Sequence, residues 1–278
     1  MKTKDNFDKI LSKIIKNYKP FIKINNTVLF NNDCMDILNS IPDNSIDMIF
    51  ADPPYMLSNN GFTCQSGKRV NVNKGTWDKS KGIEKDSNFH NNWISACRRI
   101  LKPEGTIWIS GTYHSIYQCG YFLQKNNFHI LNDIAWFKPN ASPNLSCRFF
   151  TASHETILWA RKEKKAKHTF NYKAMKNGSF PEDKLKKENT QMRSVWSITA
   201  PRNEEKEYGK HPAQKPLDLI KRIILASTKE NDIVLDPFCG SGTTGVACSL
   251  LKNRSFIGIE IEKKYCELAK KRFTALSS

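Results

Sequence analysis

The chain has 278 residues, 39% of them hydrophobic, and a formal net charge of +17. That length allows one large domain or a main domain with a smaller lobe, and no apolar run approaches the roughly eighteen residues of a membrane span. The eight cysteines (34, 64, 97, 119, 147, 239, 248 and 266) form no C-x-x-C pair, so neither a zinc site nor a disulfide framework is expected. His154 and Glu155 are adjacent but lack the H-E-x-x-H spacing of a metalloprotease helix. The N-terminal residues alternate lysines with isoleucines and lack the apolar core of a signal peptide, which predicts a soluble, intracellular protein. The positive surplus favours a polyanionic partner, most simply nucleic acid. It is concentrated: from Arg161 to Lys187 there are ten Lys/Arg and three acids.

In chain order, residues 1–26 read as a basic extension in which Phe7, Ile10, Leu11, Ile14 and Ile15 follow helical spacing. A strand is expected near Thr27–Phe30, a short helix over Cys34–Leu38, and a buried strand over Ser45–Phe50. Asp52-Pro53-Pro54-Tyr55 follows directly, and two prolines stop the strand and stiffen the bend. Residues 56–88 are polar and are read as a long loop of the kind that forms lids or binding segments. Then come a helix over Phe89–Leu101, ended by "KPEG", a strand over 106–110, a helix over Tyr113–Lys125, and strands at "HILNDIAWFK" and "ETILWARK". The weakly periodic, highly charged segment 163–208 is expected to be a separate lobe or ordered insert. Pro216 suits the first position of a helix carrying Leu217, Ile220, Ile223, Ile224 and Ser227. "DIVLD" and "FIGIE" read as strands, Thr243–Leu251 and Lys263–Phe273 as helices. Strands alternating with helices predict an α/β fold with a largely parallel sheet.

Gly240, Gly242 and Gly245 satisfy G-x-G-x-x-G between a strand and a helix, and Glu260 ends the next strand 18 residues beyond Gly242. Such a loop lets the backbone approach a ligand, and the acid suits a ribose. NAD and S-adenosylmethionine both fit this reading. Only 33 residues follow Gly245, so the remaining strands must come from upstream and the order is permuted. Asp236 beside the loop suits a cationic amine and would repel a pyrophosphate. In a parallel sheet the strands bearing Asp52 and Asp236 can be neighbours whose ends face one crevice.

Together these motifs resemble the permuted β class of amino-group DNA methyltransferases, in which "DPPY" precedes the target-recognition region and "F-x-G-x-G", here Phe238 to Gly242, comes last. The resemblance spans nearly all of residues 27–273. It implies a Rossmann-like, S-adenosylmethionine-dependent methyltransferase fold with a catalytic half over 27–160, a target-recognition region over 161–208 and a cofactor-binding half over 209–278. It implies that Lys215 in "HPAQKP" binds the cofactor carboxylate and that Asp33 in "NNDC" reaches its adenine. Cys34, His211, Asp236, Phe238, Gly240, Ser241, Gly242, Thr243 and Glu260 complete the implied cofactor site, and no metal is implied. The stretches "KGTWDKS", "TIWISGTYHSIY", "PNLSCRFFTASHETILWARK" and "RIILASTKE" are similar to a narrower group, the DpnA-type adenine methyltransferases of GATC-specific restriction systems. That likeness implies a bacterial cytoplasmic enzyme that works alongside a restriction endonuclease and acts on double-stranded and single-stranded DNA; homodimers are frequent in the family.

In this reading Asp52 and the carbonyl of Pro53 accept the two hydrogens of an exocyclic amine, the stiff Pro53-Pro54 bend sets their geometry, and Tyr55 stacks on the flipped base. DNA contacts are expected from loop 56–80 and segment 148–208, with Lys68, Arg69, Lys74, Arg148 and Arg161 as candidates and Trp77 as a wedge or stacking side chain. The rival readings are a cytosine-N4 methyltransferase, whose branch usually has Ser in place of Asp52, RNA or protein-glutamine methyltransferases, an NAD enzyme, and a non-catalytic nucleic-acid-binding module.

Overall fold

The computed structural model describes residues 2–58, 62–65, 68–71, 73–141, 143–144, 148–177, 180, 187 and 189–277; for 2–5, 62–65, 68–71 and 177 it describes the backbone. Eleven strands and eight α-helices occur among them. In chain order they are α1 (Lys2–Ile15), β1 (Ile22–Ile24), β2 (Thr27–Phe30), α2 (Cys34–Ser40), β3 (Ile46–Ala51), β4 (Phe62–Gln65), β5 (Lys68–Asn71), α3 (Ile83–Ile100), β6 (Leu101–Gly111) and α4 (Ile116–Lys125). Then come β7 (His129–Phe137), β8 (His154–Arg161), α5 (Tyr172–Asn177), β9 (Val195–Ser197), α6 (Leu217–Ser227), β10 (Ile233–Asp236), α7 (Thr243–Leu250), β11 (Ser255–Ile259) and α8 (Lys263–Ala275).

Nine strands form one sheet in the order β1-β2-β11-β10-β3-β6-β8-β7-β9, and β4 pairs with β5 as a separate hairpin. From β2 to β6 the neighbours are parallel, and β8 runs antiparallel to both β6 and β7. Helices cover both faces, which is why β2, β10 and β11 are buried along their whole length. Side chains alternate: Ile49 and Ala51 join the core layer beneath α1–α4, while Met48 and Phe50 join the layer beneath α6–α8. The permuted α/β architecture expected from the motif order is thus observed. The chain leaves β10 through α7 to β11 on one side and leaves its neighbour β3 through α3 to β6 on the other, which opens a crevice at the ends of these two strands.

Several elements depart from the sequence reading. α3 begins at Ile83, six residues earlier than expected, because the carboxylate of Asp86 accepts hydrogen bonds from Ser80 Oγ and Lys81 N and organises the turn ahead of it. Within the expected loop lie the β4–β5 hairpin and a 3₁₀ turn at Thr76–Asp78. "KPEG" does not separate α3 from the next strand; β6 starts at Leu101 and passes through a register shift opposite Ile46/Met48. Pro216 is the residue before α6 rather than its first, with an extended ψ of 141°. α1 packs Phe7, Ile10, Leu11 and Ile14 into the core, leaving Ile15 exposed. In segment 161–208, β9 pairs with the outer edge of β7, and Trp196 is buried near the stacked Trp108 and Trp159 rings. No helix among the described residues is long and apolar enough to cross a membrane.

Candidate active site

Asp52 leaves the end of β3 and Asp236 ends β10, and the two strands are hydrogen-bonded neighbours. A cavity of about 550 Å³ opens between them, lined by Asp52 to Tyr55 on one side and by Pro237 to Ser241, Thr243 and Glu260 on the other. Asp33, Cys34, His211 and Lys215 line the same space. Residues nearly 190 positions apart therefore share one crevice, as the permuted order predicts.

On the catalytic side the carboxylate of Asp52 is bound at both oxygens. Tyr55 donates its hydroxyl to Oδ1 at 2.6 Å, and Lys215 donates to Oδ2 at 2.5 Å. The Tyr55 oxygen also lies 3.1 Å from Glu155 Oε2 and 3.4 Å from Ser110 Oγ. Glu155, at the start of β8, is paired with Lys138 from the end of β7 and stands 3.6 Å from Lys215. Burial pushes the Asp52 carboxyl above its ordinary value; Lys215 opposes the shift and Glu155 adds to it. Burial would also raise Glu155, but Lys215 and Lys138 outweigh it and hold the carboxyl down at about 2. Burial disfavours the Lys215 charge, yet the two carboxylates raise its pKa, so it stays an ammonium. The sequence assigns Glu155, Lys138 and Ser110 no site role: Glu155 and Ser110 fall within stretches similar to the DpnA-type group but match no chemical motif, and the partners of Glu155 lie 17 to 100 residues away.

The cofactor side is held differently. Asp236 accepts from Phe238 N at 3.0 Å and from Thr244 Oγ1 at 2.5 Å. With no cation bonded to it among the described residues, burial pushes its carboxyl up to about 7. Glu260 accepts from Gly240 N at 2.8 Å and Glu262 N at 2.7 Å, and burial raises it too. Gly240 has φ +52°, and a Cβ there would come within 3.2 Å of the His211 ring. Gly242, at φ +80°, does not line the cavity; a Cβ there would meet Phe273 at 2.8 Å, so this glycine lets α7 pack on α8. Arg272 of α8 fastens the loop, donating to Ser241 O at 2.7 Å and Thr243 Oγ1 at 3.0 Å. Asp33 caps α2 by accepting from Met35 N, and burial raises the neighbouring Cys34 thiol to about 12. Phe238 meets Trp93 edge-on. His211 lies against Tyr265, accepts from Ala213 N, and is pushed down to about 3 by burial, so it is neutral.

The expected DNA-contact residues are dispersed. The side chains of Lys68 and Arg69 lie outside the described residues. Lys74 lines the cavity with its ammonium 5.0 Å from the Tyr55 ring centroid. Trp77 stacks on His211 as part of the cavity wall. Arg148 is exposed, whereas Arg161 turns inward to Ala166 O and His168.

This set of groups fits S-adenosylmethionine. The volume lies within the range of small-molecule sites. The buried carboxylate of Glu260 suits ribose hydroxyls, the Phe238 ring suits a flat adenine, and the Lys215 ammonium suits a carboxylate. The family profile for N6/N4 methyltransferases, described as DNA methylase, matches residues 46–271. The chain is 51% identical over 255 residues to the Type II methyltransferase M2.LlaDCHI of Lactococcus lactis subsp. cremoris, covering 91% of each. It is 50% identical over 259 residues to the Type II methyltransferase M2.MboI of Moraxella bovis, covering 92% of this chain and 91% of that one. Among solved structures, the complex of M1.HpyAVI with SAM superposes with a TM-score of 0.64 at 33% identity, covering 89% of this chain and 98% of that one. The chain therefore belongs to the N6/N4 DNA methylase family, as an S-adenosylmethionine-dependent DNA methyltransferase.

Proposed function

We propose that the enzyme methylates adenine N6 within GATC sites, in the bacterial cytoplasm, as the partner of a restriction endonuclease in a type II system. The observation that carries the chemistry is the cavity in which the carboxylate of Asp52 faces the glycine loop. The names of the relatives support a restriction-system role; the likeness to the DpnA-type group supports GATC and action on single strands as well as duplex, and the frequency of homodimers in the family supports a dimer.

An exocyclic amine is a weak nucleophile because its lone pair is delocalised into the ring. Asp52 accepts one amine hydrogen and the Pro53 carbonyl the other, which holds both out of the ring plane and frees the lone pair. S-adenosylmethionine, when bound, supplies a methyl on a sulfonium. The proton that the methylated amine sheds passes to Asp52, whose burial makes it a stronger base than an exposed aspartate. Tyr55, tied at its hydroxyl, offers its ring to the flipped adenine. Lys215 has three donor hydrogens, so it can hold Asp52 and the cofactor carboxylate together. Segment 161–208 serves as the target-recognition region, anchored to the sheet by β9. Lys68, Arg69, Lys74 and Arg148 are assigned to DNA phosphates.

Sequencing of modified bases in DNA from cells expressing the protein tests this reading. N6-methyladenine confined to GATC is expected; methylation of cytosine, or of adenine at other sites, would contradict it.

A further inference from the structure

Residues 73–80 connect the β4–β5 hairpin to α3 and carry the fully buried carboxylate of Asp78. Its Oδ1 accepts from Tyr55 N at 2.8 Å and from Met56 N at 3.0 Å, and its Oδ2 accepts from Ser58 Oγ at 2.8 Å. Ser58 answers twice: its Oγ accepts from Lys74 N at 2.8 Å, and its N donates to Asp78 O at 3.0 Å. Five hydrogen bonds thus tie this strap to the residues directly after Pro54. Met56 sits at φ +58°, a left-handed conformation that side-chain-bearing residues avoid and that needs outside support. On its other side the strap sets Trp77 against His211, and a Cβ at Gly75 (φ +153°) would fall 2.5 Å from the indole nitrogen.

We infer that Asp78 is a positioning residue for methyl transfer: its carboxylate fixes the Tyr55–Met56 turn, and through it the angle at which Asp52 and the Pro53 carbonyl meet the amine. This rests on the reading of Asp52–Tyr55 as the catalytic bend. Although Asp78 borders the cavity, both its carboxylate oxygens are taken by protein donors. It acts through the backbone, where a shift of an ångström in the acceptors is costly because two hydrogens must be held at once. A carboxylate suits the task because it can accept three hydrogen bonds at one buried point, which no other side chain of that length does without bringing a donor of its own.

The test compares Asp78→Ala and Asp78→Asn with wild type and Asp52→Ala, using the full chain, a duplex oligonucleotide containing GATC, and S-adenosylhomocysteine as the binding probe. Asp78→Ala is expected to lose about 100-fold in kcat with little change in KM for DNA, while S-adenosylhomocysteine affinity stays within about twofold. Asp78→Asn keeps one carbonyl oxygen for Tyr55 N and Met56 N and is expected to recover most of kcat. Unchanged kcat in Asp78→Ala would overturn the inference. So would equal loss of kcat and of S-adenosylhomocysteine affinity, which would mark a general structural role. Full turnover by Asp52→Ala would instead remove the reading of the bend, and the inference with it.

Discussion

Two buried carboxylates, Asp236 in one wall of the cavity and Glu155 behind Tyr55 and Lys215 of the other, are solved by the fold in opposite ways. Glu155 is met by two ammonium groups and held at about 2, whereas Asp236 is met by one backbone N–H and one hydroxyl and rises to about 7. The catalytic wall is backed by a network of formal charges, Lys138–Glu155–Lys215–Asp52, with Tyr55 in its middle. The cofactor wall is a backbone cradle in which carboxylates organise N–H groups of the glycine loop. The contrast teaches that one wall is arranged to handle a proton and the other to hold a shape.

Four substitutions probe the two environments. The largest effect belongs to Asp52→Ala, expected to cost at least about 1000-fold in kcat, as loss of a key transition-state contact does, while cofactor affinity is kept. Calorimetric titration beside single-turnover assays separates the two; normal turnover would dissolve the distinction between the walls. Lys215→Met comes next, because it strands Asp52 and Glu155 without their shared cation; breaking such a buried pair costs about 3–5 kcal/mol, measurable by urea unfolding. A loss no larger than that of an exposed lysine would show that the charge network is not a structural unit.

The remaining two concern pH and differ in sign. Between about 2 and 4.5 the unfolded chain binds more protons at Glu155 than the folded one, so this group's stabilisation is present above 4.5 and is lost as pH falls through about 2. For Asp236 the folded chain binds more protons between 3.8 and about 7, so its contribution is present below 3.8 and is lost as pH rises through about 7. Melting curves should therefore show the gap between wild type and Glu155→Gln opening as pH climbs from about 2 to 4.5. Relative to wild type, Asp236→Asn should gain stability as pH climbs to about 7. A gap that changes with pH in the same direction in both variants would refute the opposed environments.

What the sequence discloses follows the same division. The cofactor wall is built from contacts close along the chain, so its glycines, Asp236 and Glu260 stand out as one strand–loop–helix–strand unit. The bend is equally visible because two prolines stop a strand. The charge network is not, because Glu155 and Lys138 reach Tyr55 and Lys215 only once β7 and β8 fold alongside β6. Asp78 is hidden for a related reason: its three donors lie 20 to 23 residues upstream, and a polar loop reads as solvated until they are known. α1 is legible because Phe7, Ile10, Leu11 and Ile14 keep helical spacing, whereas the early start of α3 depends on the side chain of Asp86, which periodicity does not register.

In the proposed function one crevice holds the cofactor with its reacting end toward Asp52. A crystal structure of the protein with S-adenosylhomocysteine tests it most directly. The ribose is expected at Glu260, the adenine beside Phe238 and Asp33, and the sulfur on the side of the cavity that faces Asp52 and Pro53. A ligand bound outside this cavity, or one whose sulfur points away from Asp52, would contradict the account.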